Sequence, residues 1–187
     1  MRLALALAVS LLAGTAGAQW DQAISDKDLL DPWVQAATVL QGLPAAGPSG
    51  AATREILAGL EAELSSLRTE LENTAMSIVA RPEFAYDAAQ RSFELSQHIG
   101  KVESGMDALF AALHIRERPD AKAVQDSLDN LKKILAGRTR FERDILTTVG
   151  TGSKNAIQAL AARWWTAADR VDDVREAVAI LRQRPDR

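Results

Sequence analysis

From Thr53 onward the apolar positions fall into four long stripes, separated by short breaks that carry proline or glycine. In the first stripe Leu57, Leu60, Leu64, Leu67, Leu71 and Ile78 recur at steps of three and four, with Thr74 at the missing step. A helix returns side chains to one face at that spacing, so the pattern predicts a helix over 53–80 with one buried seam. Arg81-Pro82 ends it, because a residue before proline is disfavoured in helical backbone. The second stripe is Ala85, Ala88, Ser92, Leu95, Ile99, Val102, Met106, Leu109 and Leu113, and predicts a helix over 83–115. The third runs over 120–148, with Val124, Leu128 and Leu131 on one line and Ile134, Phe141 and Ile145 on a rotated one. That rotation is a stutter near 134–138. The fourth begins at a capping Ser153 and carries Ile157, Leu160, Trp164, Ala167, Val171, Val174, Val178 and Leu181 over 153–184.

Helices of this length are each roughly 45 Å long. Connections of only a few residues force neighbours to run antiparallel. The pattern therefore predicts an all-α fold: an antiparallel up-down four-helix bundle in 53–187, preceded by a short helix on an N-terminal arm.

The arm is residues 19–52. Asp31-Pro32 offers a cap followed by a first-turn proline, so PWVQAATVLQ reads as a short helix stopped by Gly42 and Pro44. GLPAAGPSGAA then reads as a linker that isolates the arm from the bundle. Ahead of it, MRLALALAVSLLAGTAGA has one cation, an apolar run too short to span a bilayer, and a small-residue Ala16-Gly17-Ala18 end. This is the pattern of a cleaved signal peptide, 1–18, with the mature chain starting at Gln19 in the periplasm or outside the cell.

Composition narrows the chemistry. The chain has no cysteine, which removes disulfides, thiolate metal sites and covalent haem attachment. Its formal charge of −3 is too mild to argue for nucleic acid as a partner. No segment after the leader is apolar enough to cross a membrane. The two histidines, His98 and His114, are too far round the same helix to share a metal. Glu94 and His98 stand at i, i+4, but no second such motif completes a di-metal site. Met76 and Met106 lack the histidine partners that haem would need. There is no nucleophile elbow, and GTGSK (150–154) lacks the spacing and preceding strand of a phosphate loop. The chain reads as a non-enzyme with no cofactor and no metal.

Two features remain. Trp164 falls in the fourth seam, whereas Trp165 falls about 100° outside it. It is covered by a neighbouring helix, covered by Trp33, Val34 and Leu40 of the arm, or exposed as an interface anchor. Lys132, Lys133, Arg138, Arg140 and Arg143 form a basic band, expected level with Glu70, Glu72 and Glu94. Trp165, Lys132, Lys133, Arg140 and Arg143 are the candidate partner-binding residues. Gly137 is expected opposite Trp164, making room for its indole, with Arg138 on the ring or on Glu94. The reading that follows is an exported helical bundle that works by contact with another protein of the bacterial envelope. The alternative is a small-ligand or cofactor-binding bundle, suggested by Ser92, Gly100, Gly105 and Gly137 on inner faces.

Overall fold

A computed structural model describes residues 24–43, 50–80 and 88–184. Those residues form six helices and no strand: α1 (Asp26–Gln41), α2 (Ala51–Ala80), α3 (Ala88–Ala112), α4 (Pro119–Ala136), α5 (Thr139–Gly150) and α6 (Lys154–Gln183). The expected leader and most of the expected linker lie outside the described residues.

The seams are buried as their spacing requires. Leu57, Leu60, Leu64, Leu67, Leu71, Thr74 and Ile78 line the inside of α2, and Ser92, Leu95, Ile99, Val102, Met106 and Leu109 that of α3. On α6 every seam position from Leu160 to Leu181 is buried. Ser153 caps α6 by accepting the Ala156 N–H. At the other end of α3, the Ile115 N–H donates to the Phe110 carbonyl at 2.9 Å and the His114 N–H to that of Ala111 at 3.1 Å. This is a Schellman cap, with His114 in the left-handed position (φ 57°) that usually holds glycine. His114 therefore ends a helix.

The N-terminal region departs from the expectation of a separable arm. Ser25 Oγ accepts the Asp28 N–H and starts α1 at Asp26, so Pro32 lies inside the helix and not at its start. A serine cap outcompetes the proline start because it satisfies a backbone donor that would otherwise be orphaned. Ile24, Leu29, Trp33, Ala36, Val39, Leu40 and Leu43 all belong to the single core. α1 packs on both α4 and α6, so the helical part of the expected arm is not independent of the bundle. The helices close a ring in the order α2, α3, α4, α1, α6 and back to α2.

Side-chain pairs set the directions. Arg68 of α2 meets Asp172 of α6 at 3.1 Å and Glu61 meets Arg182 at 3.0 Å, so α2 and α6 run antiparallel. Glu63 of α2 meets Lys101 of α3 while Glu70 meets Arg91, again antiparallel. α1 and α6 run the same way, because Asp26 meets Arg163 and the Leu43 carbonyl meets Arg184.

The expected third helix is two helices. The seam Ala121, Val124, Leu128, Leu131 and Leu135 is buried along α4 and stops there. Arg138 then sits at φ 59°, ψ −42°, with the Thr139 N–H donating back to the Gly137 carbonyl at 2.6 Å. That is a γ-turn with positive φ, a strained arrangement for a non-glycine residue that costs about 1–3 kcal/mol. What the sequence presents as a stutter is a full break, which lets α5 turn and bury Phe141, Asp144 and Ile145 on a new line.

Candidate functional site

Three consecutive residues of α6 face three ways, because each step around a helix is about 100°. Trp164 points inward and is 1% exposed. Its ring meets Phe141 of α5 edge-on, centroids 5.1 Å apart. Gly137 does not face it: a Cβ there would touch only the Lys133 and Ile134 carbonyls, at 3.4 and 3.6 Å. The expected glycine–indole pairing is thus replaced by a ring–ring pairing, a consequence of the break that moves α5. Arg138 lies over Phe93, its guanidinium carbon 5.9 Å from the ring centroid, and not over Trp164.

Arg163 occupies the flank toward α1 and α5. Its Nε donates to Asp26 Oδ1 at 2.6 Å and its Nη1 to Asp144 Oδ2 at 3.1 Å. Its Nη2 donates to the Ile24 carbonyl. One guanidinium thus ties together the start of α1, the middle of α5 and α6. Burial pushes the Asp144 carboxyl above its ordinary value; Arg163 pulls it down and the Asp26 charge pushes it up. The sequence carried one signal for this cluster: Asp144 is an acid beside Ile145, at the edge of a predicted seam.

Trp165 occupies the opposite flank, toward α2, and is 40% exposed. Of the arm residues expected as its cover, Trp33 and Leu40 are buried in the core and Val34 is itself exposed. One heptad from the Arg68–Asp172 pair, the antiparallel register brings Trp165 level with Ala75 and Met76 of α2. Met76 and, a turn further, Val79 are also exposed.

The basic band is divided by the break. Lys132 donates to Glu103 of α3 at 2.5 Å and reaches Asp129 at 3.1 Å; Lys133 pairs with Asp129 at 2.5 Å. The hydrogen bond to Glu103 holds the Lys132 ammonium above its usual range, and that from Lys133 holds Asp129 below its own. Glu70, Glu72 and Glu94 have other partners, namely Arg91, Arg68 and Gln90. Arg140 and Arg143 lie beyond the break on α5. Lys133 and Arg140 do come together, lining a cavity of about 440 Å³ with Ile134, Gly137 and Thr139. Lys132 lines a different groove, between α3 and α4.

His98 does not pair with Glu94. Its Nδ1 lies 3.8 Å from Glu63 of α2, which Lys101 also reaches at 3.6 Å. Among the described residues no cluster of His, Asp and Glu has the arrangement of a metal site. Of the small inner residues, Gly137 lines the cavity beside Arg140 and Gly100 the groove beside Lys132, while Ser92 and Gly105 pack against the protein itself. Ser92 Oγ donates to the Leu135 carbonyl at 2.5 Å, a Cβ on Gly105 would lie 3.0 Å from Leu60, and one on Gly100 would lie 3.4 Å from the Lys132 stem.

None of the described helices is long and apolar enough to cross a membrane. Comparison with protein families, curated proteins and solved structures finds no match to this chain.

Proposed function

We propose that this is an exported, non-enzymatic helical protein that acts by contact with another protein of the cell envelope, with Trp165 as its anchor. The observation that carries the reading is the exposure of Trp165 beside a fully buried Trp164. Exposed tryptophan is costly to solvate and is enriched among the residues that dominate protein interfaces. Met76 and Val79 extend the same apolar surface along α2, so the partner presents an apolar side chain to the α2–α6 rim.

Export rests on the leader pattern of residues 1–18: one cation at Arg2, a short apolar run and the Ala16-Gly17-Ala18 end. We read the architecture as an up-down bundle of α2, α3, α4 and α6, with α1 inserted between α4 and α6. The ion-pair registers support that reading.

The test is expression of the full chain in a Gram-negative host, followed by mass measurement and co-purification from the envelope. The expected mass lacks residues 1–18, and the expected partner is retained by the native chain and lost by Trp165→Ala at unchanged thermal stability. Met1 intact in a cytoplasmic pool overturns export. Equal retention by both proteins overturns the role of Trp165.

A further inference from the structure

Asp144 is the one ionisable side chain buried among the described residues, and it sits on the shortest helix. α5 is bracketed by two backbone reversals: the γ-turn at Arg138 and Gly152 at φ 61°. Only Phe141, Asp144 and Ile145 of its twelve residues are buried. Two side-chain pairs fix it to α6, and they are adjacent: Phe141 on Trp164, and Asp144 on Arg163.

We propose that α5 is a hinged strap, latched over Trp164 by the Asp144–Arg163 pair, which swings off α6 as a unit. The hinges are the two reversals, where backbone rotation leaves the hydrogen bonds of α4 and α6 intact. The latch is weak for a buried charge, because the guanidinium that serves Asp144 is shared with Asp26 and the Ile24 carbonyl. An open strap returns the carboxylate to water, its preferred solvent. Opening uncovers the indole of Trp164 and the ring of Phe141.

The latch has a direction in pH. Burial raises the Asp144 carboxyl in the shut state, so the shut state binds a proton more readily than the open one. Falling pH therefore favours shutting, and rising pH through the raised value favours opening. The groups that bear on Asp144 are Arg163 from α6 and Asp26 from α1. α5 itself contributes Arg140, Glu142 and Arg143. On the other neighbouring helices, Arg91 and Glu94 of α3 are engaged by Glu70 and Gln90, and Lys133 of α4 by Asp129.

Hydrogen exchange on the full-length protein, corrected for the intrinsic pH dependence of exchange, tests this. The α5 amides are expected to exchange faster than those of α4 and α6. Their protection is expected to rise as pH falls, by about tenfold for each pH unit that separates the shut and open titrations of Asp144. Asp144→Asn should abolish that pH dependence. Arg163→Met should move its midpoint up and Asp26→Asn should move it down, which keeps the test decisive if the first variant does not fold. Protection of α5 equal to that of α6, or a pH dependence that survives Asp144→Asn, overturns the proposal.

Discussion

Phe141 stands edge-on to Trp164, their planes crossing at 76°, so the largest side chain inside α6 is matched by a ring from the helix that follows the break. Such pairs contribute about 0.5–1.5 kcal/mol beyond the area they bury. Trp164→Ala is expected to lose about 3–5 kcal/mol, and Phe141→Ala a loss in the same range. The double variant should lose less than the two together, because the second truncation removes a pairing already gone. Denaturant unfolding of the four proteins measures this, and strict additivity would show that the rings do not interact.

His114 holds a left-handed backbone that an L side chain adopts at a cost of roughly 1–2 kcal/mol. His114→Gly removes that cost and regains part of it as unfolded-chain entropy, leaving a gain of about 0.5–1 kcal/mol. A thermal melt should show a rise of roughly 2–4 °C for a gain of 1 kcal/mol at this size. A fall would mean that the imidazole makes a contact worth more than the strain.

Removal of residues 1–48 takes away Ile24, Leu29, Trp33 and Leu40, which lie between α4 and α6. The shortened protein is expected to keep helical signal yet lose its cooperative melt and bind an apolar dye. A sharp two-state transition in the shortened chain would contradict the five-helix core.

Asp172 accepts hydrogen bonds from Arg175 and meets Arg68, and these hold its carboxyl below its ordinary value of 3.8. A group depressed in this way stabilises the fold above its unfolded value, and that contribution disappears as pH falls through the folded one. Asp172→Asn should therefore melt below the native protein at pH 7, with the gap narrowing as pH drops below 3.8. A gap that stays constant with pH would assign the loss to packing instead of charge.

The stripes of α2, α3 and α6 were legible because each is a long run of one period, and burial follows period directly. The α4–α5 break was visible only as a rotated stripe. A rotated stripe fits a stutter as well as a break, and the difference lies in the backbone of a single residue, Arg138. α1 was misjudged for a different reason: its proline and the glycine-rich stretch after it signal local irregularity, while its place is set by α4 and α6, far away in sequence. Arg163 illustrates the same limit. Each of its partners is an ordinary surface acid or carbonyl until the fold brings three helices to one guanidinium. Trp165 was legible as a residue outside the seam, since periodicity put it there, and its partial exposure agrees with that placement.

The parallel course of α1 and α6 orders events in time. Asp26 and Arg163 are 137 residues apart, and Leu43 and Arg184 are 141 apart. A chain made from its N-terminus produces α1 first and α6 last, so α1 can meet α4 early but waits for the final helix to gain its second neighbour. Joining such distant segments is entropically slow. Until the ribosome has released the last helix, the faces of α1 and α2 that pack on α6 stay uncovered, and that interval is when the young chain is most open to a holding factor or to aggregation.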